Sequence, residues 1–375
     1  MAVGLLILGL VLFIFLVVAH EFGHFMVARR NGVQIEEFGI GFPPRIWSRK
    51  TKKGYLFSIN WLPLGGFVKL KGENDADESK GSLGAASLWS KSKILLAGVA
   101  MNLIVCFVLL TIIAIIGMPQ LVANQFTIKT DTTTTGEKVL VGYIEPKSPA
   151  ASIGLKTSDQ LEGIGLSPNA LTPVKNADGL PAITKTYAGE TVYIRYDYSG
   201  LQYTKKVTLR SAKAVNASYD PTTHQDKLGY LGIQPTQYSL QKSTWTSPLI
   251  ALGIMKQFTV LTFKGIWGAL SNLAHGQAGK ASQQVAGPVR IVQLLNAFSQ
   301  LGYQFVLMII AVISLSLALI NVLPIPALDG GRLFFMLIPR LIIRRPLKRH
   351  TEELIHGTGM AVIMLLFVLI TISEL

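Results

Sequence analysis

The chain has 375 residues, of which 50% are hydrophobic and only 15% charged, and its mean hydropathy is +0.42. That balance excludes a disordered chain and sets the protein apart from ordinary soluble globules. A single cysteine, Cys106, excludes an intramolecular disulfide framework and a cysteine-based zinc cluster. The net charge of +14 leaves two classes open: a nucleic-acid binder, or a membrane protein with basic cytoplasmic loops.

Residues 2–19 carry no charge, and the apolar run continues to Ala28, broken only by His20, Glu21, Gly23 and His24. About 20 apolar residues cross a bilayer, so residues 1–28 are predicted as a first transmembrane helix. A cleaved signal peptide is the competing reading, but it needs a basic leading region, and no Lys or Arg precedes Arg29. Residues 29–93 follow as a loop with twelve Lys and Arg. Inside it, Tyr55–Trp61 and Phe67–Leu70 read as strands around Pro63 and Gly65-Gly66, which predicts a β hairpin associated with the membrane. A second span is expected over Ile94–Met118.

Residues 125–236 change character. Short β-rich runs (Lys138–Ile144, Thr191–Tyr198, Gln202–Leu209, Tyr230–Gln234) are separated by Gly, Pro, Ser and Asp turns, as in one domain of ordinary size. Residues 243–290 are expected to form an amphipathic helical segment, because Lys256 and Lys264 stand eight apart on one helical face. A fifth span there is the alternative. It would reverse the next span and put Arg332, Arg340, Arg344 and Arg345 outside. The third predicted span, Tyr303–Val322, continues into a Pro/Gly segment to give a unit over 303–331. A basic loop over 332–354 and a fourth span over 355–372 complete the chain, with six Lys and Arg between residues 332 and 349.

The positive-inside rule places both basic loops on the cytoplasmic side. The N- and C-termini and the 125–236 domain are then extracytoplasmic, and topology accounts for the basic charge without a nucleic acid.

The chemistry begins at His20-Glu21-Phe22-Gly23-His24. Positions i and i+4 of a helix share a face, so both imidazoles can reach one metal ion, and Glu21 beside that face can act on water as a general base. Two His and a Glu inside a span are costly and functional by default. His224, His275, His350 and His356 lack such a pairing and read as ordinary surface or interfacial residues. A catalytic zinc takes three protein ligands and keeps one open position. Asp329 in Asn321-Val322-Leu323-Pro324-Ile325-Pro326-Ala327-Leu328-Asp329-Gly330-Gly331 is the candidate third ligand. Its two prolines cannot continue a regular helix, its two glycines permit tight turns, and its span runs in the same direction as the first.

Val141–Gly165 reads VGYIEPKSPAASIGLKTSDQLEGIG and Gly229–Ile233 reads GYLGI. These segments resemble a circularly permuted PDZ domain, with GYLGI as the carboxylate-binding loop and following strand. That resemblance implies capture of extended peptide termini at a sheet edge. A small β domain without a peptide ligand is the alternative. The whole pattern resembles the site-2 protease family of intramembrane zinc metalloproteases, in its bacterial branch with a single PDZ domain. It rests on HEFGH at 20–24, FGIGFPPRIW at 38–47, INWLPLGGFVKLKGE at 59–73, LAGVAMN at 96–102, the PDZ segment, GPVRI at 287–291 and NVLPIPALDGG at 321–331. Val99 departs from the family, which often has Pro there.

The resemblance implies one zinc ion held by His20, His24 and Asp329, with Glu21 as catalytic acid/base and Asn321 helping to hold the substrate backbone. It implies a multi-pass protein of the bacterial cytoplasmic membrane that cuts within or near transmembrane segments in regulated intramembrane proteolysis. Its partners would be single-span membrane proteins such as anti-sigma factors, signal-peptide remnants and membrane lipid. The domain over 125–236, joined at both ends by short segments, is expected to screen substrates by bulk more than to recruit them. A metal transporter and a non-catalytic PDZ scaffold are the alternatives.

Overall fold

The computed structural model describes residues 2–73, 75, 77–122, 124–198, 200–218, 228–277, 279, 286–342 and 344–374. His224 lies outside them. The chain divides into two compact units. One holds the chain up to Leu5, Ile113–Ser247 and Asn296–Val306; the other holds Leu6–Ile112, Pro248–Leu295 and Leu307–Leu375.

Among the described residues, five helices are long and apolar enough to cross a membrane: α1 (Ala2–Arg30), α2 (Leu88–Ile116), α6 (Ser247–Ala274), α8 (Tyr303–Val322) and α10 (Arg349–Glu374). α6 stands lowest in hydropathy, at 1.4 against 2.3–3.0 for the others, because Lys256 and Lys264 interrupt its apolar sequence. Sequence reading expects four spans and an amphipathic segment here; length and apolarity alone do not set α6 apart. Large apolar side chains stay exposed along these helices, as a lipid-facing surface requires: Ile7, Val11 and Phe15 on α1, and Val362, Leu365 and Leu369 on α10. All five tryptophans, Trp47, Trp61, Trp89, Trp245 and Trp267, are exposed, the habit of aromatic side chains anchored at a membrane interface. The protein is therefore a multi-pass membrane protein.

In the helical unit, Leu16 of α1, Leu295 of α7 (Pro288–Leu301) and Ile310 of α8 form a buried cluster with Leu12, Val105 and Leu317 around it. Small residues set the closest approach. A Cβ at Gly23 of α1 would meet the carbonyl carbon of Ala97 on α2 at 2.9 Å. The hairpin strands β1 (Ile35–Lys50) and β2 (Leu56–Leu70) pair antiparallel. Their register doubles: Phe38 partners both Val68 and Phe57, so β1 residues 37–40 lie between two stretches of β2. Its bend exposes Phe42, Ile46, Trp61 and Leu62, an apolar surface that a purely basic hairpin lying on lipid headgroups would lack.

Asp75 anchors the segment after the hairpin. Its side chain, only 4% exposed, pairs with the fully buried Lys91 of α2 and with Arg340 of α9 (Asp329–Ile342), while its N–H donates to Glu352 of α10 at 3.0 Å. Lys91 therefore has the opposite charge that burial of an ammonium demands.

The other unit is built on a sheet in the order β3-β9-β4-β5-β7-β8, with β6 (Ala170–Pro173) added on β5. Its members are β3 (Met118–Pro119), β4 (Thr133–Ile144), β5 (Gln160–Ser167), β7 (Thr191–Tyr198), β8 (Leu201–Thr208) and β9 (Ile233–Lys242). Alternate residues of these strands, among them Val139, Val141, Leu161, Ile164, Val192 and Ile194, face one core. Three short helices cover it: α3 (Pro149–Ser152), capped by the Ser148 hydroxyl, α4 (Leu180–Thr186) and α5 (Ala212–Ala217). The Gly229-Tyr230-Leu231-Gly232 turn leads into β9 and is pinned on both sides: Ala150 N–H donates to Leu231 O, and Arg210 donates to Gly229 O while forking onto Glu145. Gly232 takes φ +77°, open to glycine without strain. This turn, Pro181 and Lys185 of α4, and Val215 of α5 line a cavity of about 540 Å³.

Candidate metal centre

α1 is regular through the HEFGH segment, so His20 and His24 project from one face, their rings 4.8 Å apart between centroids. Both are buried, at 8% and 5% exposure. Asp329 reaches them from the first residue of α9. Its Oδ2 lies 3.0 Å from His20 Nε2 and 3.2 Å from His24 Nε2, and the two Nε2 atoms are 3.2 Å apart. Among the described residues, this is the one group of three His, Cys, Asp or Glu side chains whose ligand atoms lie within 4.8 Å of one another.

The donor set fits a zinc ion. His24 Nδ1 lies 2.7 Å from the Ile94 carbonyl. A carbonyl only accepts, so Nδ1 holds a proton, and in the neutral ring that a metal ligand must be, Nε2 turns a lone pair toward Asp329. Two imidazole nitrogens and a carboxylate oxygen thus converge on one point, where a cation offsets the repulsion between their lone pairs. The 3.0–3.2 Å edges of the triangle match the separation of about 3.3 Å between neighbouring corners of a tetrahedron with zinc-type bonds. Space for the two rings comes from Gly98 of α2. A Cβ there would lie against His24 Nε2 and 2.6 Å from His20 Nε2, so any side chain would fill the site.

The loop that delivers Asp329 is tightly packed. A Cβ on Gly330 or Gly331 would collide with the carbonyl oxygens of Val322 or Ile325. Ala327 holds φ +77°, a left-handed conformation that disfavours a residue with a Cβ, and its N–H donates to His356 Nδ1 at 3.1 Å. His356, read from sequence as an ordinary residue, thus braces the loop from α10. His275, by contrast, is exposed and bonds within its own turn, to the Ser271 carbonyl.

Glu21, half-buried on α1 beside the two His, accepts a hydrogen bond of 3.0 Å from the backbone N–H of Val68 on β2. Gly66 passes close by: its Cβ position is 3.6 Å from Glu21 Cγ. Asn321 lies half-buried near the C-terminal end of α8 and, among the described residues, makes no hydrogen bond to His20, His24, Glu21 or Asp329. Sequence reasoning singled out neither Gly98 nor Asn102, which the structure places against the His pair. Their i, i+4 spacing, and an Asn inside an apolar span, were the available signals.

Comparison with known proteins agrees with this chemistry. The profile of peptidase family M50 matches residues 8–366. A protein of Campylobacter jejuni, named provisionally as a zinc metalloprotease, is 30% identical over 370 residues, covering 96% of this chain and 90% of that one. Proteins with the same provisional name from Clostridium acetobutylicum (28% over 371 residues; 98% of this chain, 96% of the relative) and Clostridium perfringens (29% over 372; 99% and 98%) are similar along nearly their whole length. With a match across almost all of its residues and a histidine-histidine-aspartate donor set suited to zinc, the chain belongs to peptidase family M50 and is a zinc metalloprotease of the membrane.

Proposed function

We propose that His20, His24 and Asp329 hold the zinc, that Glu21 is the catalytic acid/base, and that the bond cut lies in or near a transmembrane segment of another membrane protein. The observation that carries this reading is the convergence of His20 Nε2, His24 Nε2 and Asp329 Oδ2 within a chain of long apolar helices. A zinc ion so held supplies Lewis-acid polarisation of a peptide carbonyl and makes water more acidic. Glu21 takes a proton from the attacking water and returns it to the leaving amine.

A helical substrate shields its carbonyls by hydrogen bonding, so cleavage requires an extended segment. β2 offers the means. The Val68 N–H points away from the ladder toward Glu21 and the Leu70 N–H is held by Glu73, which marks the 66–70 stretch as a sheet edge, covered by carboxylates rather than by a further strand, beside the acid/base. An unwound substrate added along that edge lies next to the reacting groups. Asn321, at the end of α8, is read as a further contact to the substrate backbone.

The substrates proposed are single-span proteins such as anti-sigma factors, together with signal-peptide remnants, cut in regulated intramembrane proteolysis at the bacterial cytoplasmic membrane. The basic loops support a cytoplasmic position for the hairpin and for residues 332–349, with the sheet unit and both termini outside. Four spans satisfy this arrangement. α1 and α8 both lead toward the metal site, so an odd number of crossings separates them; α2 provides that one, and a spanning α6 would need yet another to restore the direction of α8. We read α6 as lying along the outer leaflet. The sheet unit is read as PDZ-like, its peptide groove being the cavity between the Gly229–Gly232 turn and α4. Its short connections to α2 and α6 support screening of substrates by bulk.

The test is cleavage of a defined single-span substrate by the purified chain in lipid nanodiscs. Glu21→Gln is expected to retain about one zinc per chain and to lose at least about 100-fold in rate, the scale of general acid–base catalysis. Full proteolysis by Glu21→Gln, or zinc retained undiminished after His20→Ala, overturns the reading. Zinc flux into sealed vesicles without proteolysis would identify a transporter instead.

A further inference from the structure

Asn102 is fully buried in the middle of α2, one turn beyond Gly98. Its side-chain amide faces His20, with Nδ2 3.3 Å from Nδ1, and its Oδ1 is one of two buried side-chain polar atoms without a partner among the described residues. Its backbone carbonyl accepts a 2.8 Å hydrogen bond from the hydroxyl of the buried Ser314 on α8, which fixes α2 against α8 at this level.

An unpartnered carbonyl oxygen inside an apolar helix bundle is costly, and its position beside a ligand imidazole gives it a use. An imidazole that offers its Nε2 lone pair carries its proton on Nδ1 and must donate it. His24 meets this requirement through the Ile94 carbonyl. Among the described residues, His20 has only the amide of Asn102 at its Nδ1. With Nδ2 toward it, two N–H groups oppose each other and Oδ1 stays orphaned. A half-turn of the amide, which changes no shape, puts Oδ1 opposite the Nδ1 proton and resolves both faults at once.

We infer that Asn102 is the positioning residue for His20: its side-chain oxygen accepts the Nδ1 proton and holds the tautomer and ring direction in which Nε2 faces Asp329 and His24. The inference rests on the reading of these three residues as the zinc site. Asn102 touches no reacting atom; it acts through His20, as outer partners of ligand imidazoles do.

The experiment measures zinc, not turnover. Full-length protein in detergent is titrated with a competing chelator, and the release rate of zinc is followed alongside the thermal midpoint of the zinc-free form. Asn102→Leu, equal in bulk but without an acceptor, is expected to weaken zinc binding by about 10- to 100-fold with little change in that midpoint. Asn102→Asp, which can only accept when ionised, is expected to hold zinc at least as well as the unmodified chain. Unchanged zinc affinity in Asn102→Leu overturns the inference. So does loss of zinc from Asn102→Asp, because that outcome assigns Asn102 a donor's role; should Asn102→Leu not fold, Asn102→Asp decides alone. His20→Ala serves as the reference: if it keeps its zinc, the zinc-site reading has failed and not the role of Asn102.

Discussion

The carboxylate of Glu21 and the backbone N–H of Val68 share a 3.0 Å hydrogen bond that ties α1 to the edge of β2. The bond aims Glu21 while using a donor that the ladder leaves over. Val68→Pro removes that N–H without deleting a ladder bond, and proline is tolerated at an edge position. It is expected to leave zinc content unchanged and to lower kcat/KM about tenfold or more, since a hydrogen bond to a charged group is worth about 1.5–3 kcal/mol. Metal analysis and steady-state cleavage of one substrate check the two halves.

Gly98 leaves no room for a side chain beside His20 and His24. Gly98→Ala places a methyl group where the imidazoles of His20 and His24 lie and, if these hold the zinc as proposed, is expected to abolish zinc binding and cleavage together. Gly265→Ala in α6, where nothing lies within 4 Å of the added carbon, is the control and should be silent. Zinc per chain by mass spectrometry separates them.

Asp75 holds two cations, and Lys91 beside it is only 1% exposed. Asp75→Ala strands a buried ammonium, an uncompensated charge that costs on the order of 3–5 kcal/mol. Lys91→Met should be milder, because Arg340 still neutralises the carboxylate. The thermal midpoints in detergent should fall in that order.

Asp131 accepts hydrogen bonds from the N–H and hydroxyl groups of both Thr244 and Thr246, and these bonds hold its carboxyl down at about 2. A depressed folded value means stabilisation that is complete above the ordinary carboxylate value of 3.8 and lost as pH falls toward 2. The advantage of the unmodified chain over Asp131→Asn should therefore be constant from pH 7 to about 5 and vanish near pH 2. Hydrogen exchange at the Thr244 and Thr246 amides reads it directly.

Orientation is testable in intact cells on a Cys106→Ser background. A cysteine at Ser48 of the hairpin is expected to resist impermeant thiol reagents, and one at Asn169 of the sheet unit to react; both positions are exposed. The reverse pattern would overturn the charge argument.

The long apolar helices and a separate β-rich unit were legible in the sequence because each depends on local composition and period. The facing of His20 and His24 was legible for the same reason, as four residues make one helical turn. Apart from Asp329, which the Pro/Gly segment singled out, partners distant in sequence were not. The Val68 N–H on Glu21 depends on the doubled register of β1 and β2, which no alternation pattern reveals. His356 looked solitary because the loop it supports lies 29 residues away. α6 stayed ambiguous because two lysines in 28 residues suit a span and a surface helix equally.

The end of α2 at Ile116 is separated from β3 by Gly117 alone, β3 pairs with β9, and α6 begins at Ser247, five positions after β9 ends. The Ser243 N–H closes the arrangement on the Ala114 carbonyl at 2.8 Å. The chain thus enters and leaves the sheet unit through adjoining strands stitched to each other. Mechanically, the two connectors act as one stalk: tension on either is borne as shear across the Met118–Gln241 and Pro119–Leu240 pairs and by the Thr244–Asp131 knot, before any of it can peel the sheet. A pull on either connector would therefore meet the paired strands together rather than unravel the sheet strand by strand.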